Sequence, residues 1–531
     1  MVRTRAAKTQ VTQSTPQQLA SLIKSCRDIM RKDKGLSGDL DRLPMLTWIM
    51  FLKFLDDMER VCEEEAKLEA KKFRPAIELP YRWRDWAANP QGITGNELLA
   101  FINQDEATRP DGKSGLGLFA YLRSLQTANG DRADVIAKVF EGTVNRMVSG
   151  YLLRDVLNKV NEIHFTSRDE IHTLGLLYES MLKEMRDAAG DSGEFYTPRP
   201  LVKFIVSVVD PQLGETVLDP AAGTGGFLVE AYEHLSTQAK TTEEYGGLQR
   251  GTLFGIEPKP LPYLLCQMNL LLHGLEYPEI ESRNALDRPL REMGDKDRVD
   301  VIMTNPPFGG EEERGILSNF PEDKQTAETA LLFLQLIMRR LRRVAPAFRP
   351  AQECRAEARL YGPGRCGMVV PNGVLFGDGV CARIKKELLE EFNLHTIVRL
   401  PNGVFAPYTP IPTNLLFLDR SGPTKEIWYY EQPLPEDKKN YTKTQPMRFE
   451  EFADCLAWWK NREPNGRAWK VPVSDVLKLN PDGSLLSANL DIKNPSRKQD
   501  LEHLPPAQLA ESILAKEQRI AELVTEIKSL L

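Results

Sequence analysis

The sequence predicts an α/β protein with a mostly parallel, Rossmann-like sheet, a helical N-terminal domain and a C-terminal helical tail. Between residues 197 and 420, short apolar runs alternate with helical patterns at the spacing of β–α units. Before residue 186, apolar residues recur almost only at helical spacing. Residues 505–531 carry one apolar stripe among charges, which is typical of an amphipathic helix.

Length, charge and cysteine content narrow the class further. A chain of 531 residues is too long for one core, so several domains are expected. The net charge of −6 is unusual for a protein that binds many DNA phosphates alone, so a partner or a local basic surface would have to supply that binding. Seven scattered cysteines without a CxxC pair argue against a metal site and fit the cytoplasm. The most apolar run, 43–55, carries Lys53 and is too short to span a membrane.

The N-terminal domain is predicted to cover residues 14–185, after a disordered stretch at 1–13. Thr15-Pro16-Gln17-Gln18 predicts a capping box that opens the first helix, and a long helix is expected over 43–72. Further helical patterns cover 117–124, 135–140, 147–162 and 168–185. Tyr81, Trp83 and Trp86 lie among arginines, where aromatic rings either stack on nucleic acid or pack a loop onto a helical domain. We favour packing.

A catalytic domain is predicted over 186–420. Thr197-Pro198 is interpreted as the N-cap and first turn of a helix over 198–209. The expected strands are 216–219, 252–257, 299–303, 367–370, 396–400 and 414–418, and the expected helices are 226–235, 260–275 and 328–344. The sheet is expected to end near Asp419. Residues 421–504 would then form an extension packed on the catalytic domain, and 505–531 a helix that docks either on a partner or on its own chain.

The first chemical motif is Asp219-Pro-Ala-Ala-Gly-Thr-Gly-Gly-Phe227, where a strand ends in an acid and a small-residue turn opens a helix. Small residues let a ligand approach the backbone, and the helix N-terminus offers free N–H groups. The motif is not the dinucleotide fingerprint, because Leu228 stands where the third glycine is required. Glu257 ends the next strand, and an acid there suits a ribose diol.

The second motif is Asn305-Pro306-Pro307-Phe308, which follows a buried strand. The two prolines make the loop stiff, and it offers an amide, backbone carbonyls and an aromatic ring. These groups can hold a planar amine by hydrogen bonds and stacking. Alone, an Asn-Pro turn is a common loop. Two strands after Glu257 and at the same sheet edge, it indicates a site for a planar amine. Our hypothesis is that a flipped adenine is methylated there.

The combination resembles the modification (M, or HsdM-type) subunit of type I restriction–modification systems, and the motif order resembles gamma-class adenine N6 DNA methyltransferases. The resemblance covers nearly the whole chain. Besides the two motifs, it is carried by Phe195-Tyr196-Thr197-Pro198-Arg199, Asn269-Leu270 with His273-Gly274, Val370-Pro371-Asn372-Gly373-Val374-Leu375-Phe376, Leu400-Pro401-Asn402-Gly403-Val404-Phe405 and Thr413-Asn414. It implies the class I S-adenosylmethionine-dependent methyltransferase fold.

The resemblance also implies a role for each motif. The cofactor S-adenosylmethionine would be bound by Glu194, Phe195, Tyr196, Thr197, Pro198, Arg199, Asp219, Ala222, Gly223, Thr224, Gly225, Gly226, Glu257, Asn284 and Ala285. The catalytic residues would be Asn305, Pro306, Pro307 and Phe308, with no metal. The implied partners are double-stranded DNA, a specificity (S) subunit, a second M subunit and a restriction (R) subunit, and no membrane.

Three points stay open in the sequence. Arg339, Arg340, Arg342 and Arg343 could contact DNA phosphates near the flipped base, or they could form a solvated helix face. Residues 345–364 are longer than the family's usual turn, with no role that we can assign. The alternative activities are a protein glutamine N5-methyltransferase, whose substrate is also a planar amide, and a catalytically silent cofactor-binding scaffold.

Overall fold

The computed structural model describes residues 15–126, 132–165, 174–182, 197–309, 312–343, 362–406 and 409–496, apart from positions 69, 71, 176, 437 and 443, with a few isolated positions beyond 513. Predictions for 1–13, for 345–361, for most of 168–185 and for nearly all of 505–531 therefore lie outside the described residues.

The N-terminal region is helical, as predicted. Its described helices are Pro16–Met30, Asp39–Leu68, Trp83–Trp86, Gly95–Asn103, Leu118–Arg123, Arg132–Glu141 and Gly150–Asn161. The Thr15–Gln18 capping box is present. A hairpin of β1 (Glu106–Thr108) and β2 (Ser114–Leu116) was not predicted, because two three-residue strands carry too few residues to show an alternating pattern.

The aromatic segment of this region packs into the core, as we favoured. Trp83 and Trp86 are each 2% exposed, and the Trp83 Nε1–H donates to Asn161 Oδ1 at 2.9 Å. The neighbouring Arg84 donates to Asp56 Oδ1 at 2.8 Å. Because the two rings are buried and the guanidinium is already hydrogen-bonded, these side chains are not presented to a nucleic acid.

The catalytic region is built on a nine-stranded mixed sheet. Its strands are β3 (Val217–Asp219), β4 (Leu253–Ile256), β5 (Glu279–Glu281), β6 (Val301–Thr304), β7 (Arg365–Pro371), β8 (Asn393–Arg399), β9 (Thr413–Asp419), β10 (Glu426–Glu431) and β11 (Ala468–Pro472). They are arranged in the order β11-β10-β8-β9-β7-β6-β3-β4-β5. The run from β7 to β5 is parallel, whereas β9 is antiparallel to both of its neighbours.

The prediction that the sheet ends near Asp419 is wrong. Strand β10 pairs in parallel with β8, and β11 pairs antiparallel with β10. Ile427 and Tyr429 of β10 are fully buried, so this segment belongs to the core rather than to a surface extension. The prolines on either side of β10 lie in the loops before and after this strand, and they do not end the sheet.

Part of the segment predicted as an extension does pack back on the catalytic region. The Phe452 ring stacks on Phe204 at a centroid distance of 4.2 Å, next to helix Ala453–Lys460. A last described hairpin, β12 (Leu477–Leu479) with β13 (Leu485–Ala488), lies outside the large sheet.

Helices cover both faces of the sheet. They are Arg199–Val209, Gly226–Gln238, Thr242–Leu248, Pro260–Leu272, Arg314–Leu317, Thr329–Arg340, Gly373–Phe376, Val380–Glu391, Ala453–Lys460 and Val473–Val476. On one face, Asp39–Leu68 of the N-terminal region packs on Pro260–Leu272, so a single apolar core joins the two regions. On the other face, Thr329–Arg340 and Val380–Glu391 form a second core. None of the described helices is long and apolar enough to cross a membrane.

The strand order reverses at β3, whose neighbours β4 and β6 lie on opposite sides of it. Chain crossovers leave the sheet in opposite directions at such a point and open a crevice at the carboxyl ends of the strands, where α/β proteins place their ligands.

Candidate active site

A cleft of about 420 Å³ opens at the carboxyl ends of β3, β4 and β6. This volume lies in the range of small-molecule sites. The predicted site residues that line it are Thr197, Arg199, Asp219, Ala222, Gly223, Thr224, Gly226, Glu257, Asn284, Ala285, Asn305 and Pro307. The structure thus brings the two sequence motifs into one site. Glu194, Phe195 and Tyr196 lie outside the described residues.

The glycine turn has the backbone shape that its sequence demands. Gly223 and Gly225 have φ angles of 54° and 79°, a region that glycine enters without a Cβ penalty. Gly225 is the N-cap of helix Gly226–Gln238, so the N-terminus of that helix faces the cleft. A Cβ on Gly226 would lie 1.6 Å from Arg199 Nη1, so any larger residue there would displace that guanidinium.

Two buried acids hold the turn from either side. Asp219 Oδ1 accepts hydrogen bonds from Thr304 Oγ1 at 2.7 Å and from Ala221 N at 3.1 Å. The Glu257 carboxylate accepts from Gly223 N at 3.0 Å and from Lys259 N at 2.9 Å. Burial raises the pKa of each carboxyl to about 7, although these hydrogen bonds act to lower it.

The loop after β5 closes the cleft beside Glu257. Asn284 Oδ1 accepts from Leu286 N at 3.0 Å, and its Nδ2 donates to Glu312 Oε2 at 3.3 Å. Ala285 is 3% exposed and forms an apolar wall.

The Asn305 side chain has one hydrogen-bonded and one unpartnered polar atom among the described residues. Asn305 Nδ2 donates to Thr197 Oγ1 at 3.1 Å. Asn305 Oδ1 is buried and has no hydrogen-bond partner among the described residues. A buried acceptor without a hydrogen bond costs free energy unless a bound ligand supplies the missing donor. Pro306 is buried and Pro307 exposed, which anchors one end of the loop and leaves the other in solvent.

The predicted capping role of Thr197 is wrong. The N-cap of helix Arg199–Val209 is Pro198, and no side chain caps it. The Thr197 hydroxyl contacts the Asn305 amide instead, 108 residues away in the sequence. The local sequence favours a threonine as the helix N-cap before a proline. It cannot show that another loop lies close enough to form a hydrogen bond with the threonine hydroxyl instead.

Two further residues of the site were missed by sequence reasoning. Glu179, from the N-terminal region, accepts hydrogen bonds from Arg199 Nε at 2.6 Å and from Asn269 Nδ2 at 2.7 Å. Asn269 Nδ2 also donates to Thr224 O at 2.9 Å, so this carboxylate is linked to the glycine turn. No pattern around Glu179 distinguishes it from a surface helix acid.

The second missed residue is Phe405, which is 4% exposed and packs edge-on against Phe308 at 5.2 Å with an interplanar angle of 82°. The Leu400–Phe405 motif, which ends in this residue, contributed to the sequence prediction only through the family resemblance. The T-shaped contact fixes one side of the Phe308 ring beside the Asn305 loop.

The predicted basic run does not lie near the site. Helix Thr329–Arg340 starts at the cleft, at the carboxyl ends of the strands, and runs for about 18 Å back towards their amino ends. There Arg339 donates to the carbonyls of Leu290 and Met293, and Arg342 pairs with Asp300 at 3.0 Å. Arg340 is half-buried and Arg343 is exposed at the same edge. The geometry argues against DNA contacts near the flipped base by these four residues.

The strand order and the Asp219–Glu257–Asn305 cleft define a class I methyltransferase that acts on amino groups. The family model described as N-6 DNA Methylase matches residues 169–346 and 356–493, and the HsdM N-terminal domain model matches residues 19–160. The chain belongs to the family of type I restriction enzyme methylase subunits.

Individual relatives agree with this family. The chain is 45% identical over 524 residues to the EcoEI type I restriction enzyme methylase subunit of Escherichia coli, covering 97% of each chain. A crystal structure of a modification subunit from Vibrio vulnificus is 66% identical with a TM-score of 0.81, covering 92% of this chain and 99% of that one. A chain from a structure of type I restriction–modification complex assembly is 40% identical with a TM-score of 0.74, covering 98% and 99%.

Proposed function

We propose that this chain transfers a methyl group from S-adenosylmethionine to N6 of a flipped adenine in duplex DNA, as the modification subunit of a type I complex in the cytoplasm. The observation that carries the proposal is the buried Asn305 Oδ1, which has no partner among the described residues and belongs to a residue that lines the same cleft as the glycine turn. An exocyclic amine donates N–H groups, so its binding requires a hydrogen-bond acceptor of this kind.

The cleft fits the proposed cofactor. The left-handed turn at Gly223 and Gly225 lets a ligand approach the backbone and the helix N-terminus, which suits a carboxylate. Glu257 retains acceptor capacity for a ribose diol, since each of its oxygens accepts one protein hydrogen bond. Asn284 and Ala285 would border the adenine. When bound, S-adenosylmethionine supplies an electrophilic methyl group.

Asn305 and Pro306 would act on the target amine. The lone pair of an adenine amine is delocalised into the ring, so the amine is a weak nucleophile. Asn305 Oδ1 and the Pro306 carbonyl would accept its two hydrogens, which favours a pyramidal nitrogen and stabilises the positive charge that develops there. The prolines keep these acceptors fixed, so little reorganisation is needed during the reaction.

Phe308 would stack on the extruded base, with Phe405 supporting its ring from the side. Stacking repays part of the unpairing cost that flipping imposes. A base that is paired and stacked in a duplex would have to leave the helix to place its amine beside Asn305.

Target choice would come from a separate specificity subunit. The segment after Asp419, where a target-reading module could have followed, instead contributes β10 and β11 to the catalytic sheet. The relative from the solved type I assembly aligns over 98% of this chain, which supports assembly of this chain into a type I restriction–modification complex. The proposed partners in that complex are DNA, the specificity subunit, a second M subunit and an R subunit. We also propose a helical N-terminal domain at 14–185, a catalytic domain that ends after β11, and a helix at 505–531 for docking on a partner.

The test is transfer of radiolabelled methyl from S-adenosylmethionine to DNA by the chain co-expressed with its neighbouring specificity subunit. Label is expected at adenine N6 and is expected to fall at least a hundredfold in an Asn305→Ala complex, because one preorganised acceptor is lost. Label on protein glutamine and never on DNA would indicate the glutamine methyltransferase instead. Cofactor binding without transfer to either would indicate a silent scaffold.

A further inference from the structure

A second cavity lies at the amino ends of the parallel strands, away from the cleft. Its volume is about 520 Å³, which is in the range of small-molecule sites. Its walls include residues of helix Thr329–Arg340, of helix Val380–Glu391 and of the turn that follows β9. The charged residues that line it are Arg291, Arg339, Arg343, Arg420, Glu387 and Glu391. The cavity therefore combines room for a ligand with an excess of positive charge.

The positive charges around the cavity repel one another. Burial and the neighbouring charges of Arg343 and Arg298 lower the pKa of Arg420 to about 10. Glu391 acts to raise that pKa, but it offsets the lowering only in part. The other lining acid, Glu387, is already paired with a lysine. An anion bound in the cavity would reduce this repulsion.

Two of the guanidinium groups are held in place by backbone carbonyls rather than by carboxylates. Arg420 Nη1 donates to two carbonyls at the end of helix Thr329–Arg340, at 3.1 and 2.9 Å, and its Cζ lies 4.9 Å from the centre of the buried Phe392 ring. Arg339 donates from Nε and Nη2 to carbonyls of residues 290–293. Among the described residues, the remaining nitrogens of both side chains have no partner. A ligand would meet donors that are already fixed, so little side-chain freedom is lost on binding.

We propose that this cavity binds a small phosphorylated ligand, whose phosphoryl oxygens accept hydrogen bonds from Arg339, Arg343 and Arg420. A phosphoryl group has three acceptor oxygens and a charge of about −1.5 to −2 at neutral pH, so several guanidinium groups can share it. A single carboxylate has two oxygens and one charge, which matches four arginines less well. The site is separate from the cleft, and it does not depend on the proposed methyl transfer.

The shape of the cavity favours a small ligand over a macromolecule. Arg339 and Arg420 are half-buried, and the apolar side chains beside them, Phe320, Met338 and Phe392, are only 4%, 4% and 1% exposed. The guanidinium groups thus line a depression and do not project from the surface. A DNA duplex or a folded protein is too wide to enter a depression of this volume.

The test is calorimetric titration of the full-length chain, bound to its specificity subunit, with inorganic pyrophosphate. A Kd below about 1 mM is expected, and it should rise with added NaCl. Arg420→Gln should raise that Kd at least about tenfold, and Arg343→Gln about threefold to tenfold, because Arg343 is exposed to solvent. Arg343→Gln keeps the test valid if loss of the Arg420 carbonyl contacts prevents folding. Arg60→Gln, with the same charge change at an exposed position of helix Asp39–Leu68, is the control and should change the Kd less than about twofold.

Uridine diphosphate distinguishes two sources of the phosphoryl group. A Kd at least about tenfold below that of pyrophosphate would indicate a nucleotide, and an equal Kd would indicate that the phosphoryl groups alone are bound. Absence of pyrophosphate binding, or a Kd that neither cavity variant changes, would overturn the proposal. Displacement of pyrophosphate by lower concentrations of a polyglutamate peptide or of a short DNA duplex would also overturn it, because the cavity would then bind an acidic protein segment or DNA.

Discussion

Replacing Glu179 with glutamine should disturb both the folded state and the cofactor site. The carboxylate accepts two N–H groups of Arg199 and one of Asn269. Burial opposes its ionisation, but the Arg199 charge and the hydrogen bonds lower the pKa of Glu179 below its ordinary value. The charged form is therefore the one that holds this junction at neutral pH.

The magnitude follows from counting donors. Three N–H groups converge on two carboxylate oxygens, whereas glutamine offers one oxygen and two N–H groups of its own. At least one donor must face an N–H, which costs about 1–3 kcal/mol when buried. Loss of the charge pair adds to this, discounted because the Arg199 side chain is 24% exposed. We expect a loss of about 2–3 kcal/mol in the free energy of unfolding.

The cofactor site should respond as well. Asn269 bonds both Glu179 and the Thr224 carbonyl of the glycine turn, so a shift of Asn269 reaches that turn. A loss of about 1.4 kcal/mol in binding free energy would raise the Kd for S-adenosylmethionine about tenfold.

The assay is urea unfolding followed by circular dichroism, with calorimetric titration of S-adenosylmethionine. Glu233→Gln is the matched control, because its carboxylate is 45% exposed and its ion pair with His273 spans 3.8 Å. That control should change stability by less than about 0.5 kcal/mol. If Glu179→Gln equals Glu233→Gln in both measurements, the link between the N-terminal region and the cofactor turn is refuted.

Four further predictions follow from the same geometry. Gly226→Ala should displace the Arg199 guanidinium and raise the cofactor Kd at least tenfold, and an unchanged Kd in calorimetry would contradict the close approach. Phe405→Leu should lower kcat/KM for DNA about threefold to tenfold at an unchanged cofactor Kd, since an aromatic edge contact is worth about 0.5–1.5 kcal/mol; equal kinetics would remove the support role. Because burial raises the pKa of Glu257 from 4.5 to about 7, the folded state keeps a proton that the unfolded chain releases, so wild-type stability should fall between pH 4.5 and 7 relative to Glu257→Gln, by up to about 3 kcal/mol; parallel unfolding curves would refute this. Arg343→Glu should leave the salt slope of DNA binding by the complex unchanged, and a slope reduced by about one would restore the phosphate hypothesis.

Much of the fold was predictable because its signals are local. The alternation of strands and helices, the capping box at Thr15 and the glycine turn all reflect the conformational demands of a few adjacent residues. The end of the sheet was not predictable. Strand β10 becomes part of the core by pairing with β8, and its own composition does not reveal that partner.

The same division holds for the candidate site. Asp219, Glu257 and Asn305 could be assigned to one sheet edge, because each follows a strand in a parallel β–α pattern. Glu179 could not be assigned, since its hydrogen bond to Asn269 joins residues 90 positions apart. The sequence could not decide between phosphate contacts and a solvated helix face for the basic run, because it shows that arginines cluster but not at which end of a helix the cleft opens.

The chemical groups of the site follow from the sequence alone: an acid and glycine turn for a cofactor, and a stiff Asn-Pro-Pro-Phe loop for an amine. Proline and glycine impose these backbone shapes wherever they occur. The neighbours of these groups depend on the tertiary structure, because packing brings the Thr197 hydroxyl to the Asn305 amide from 108 residues away.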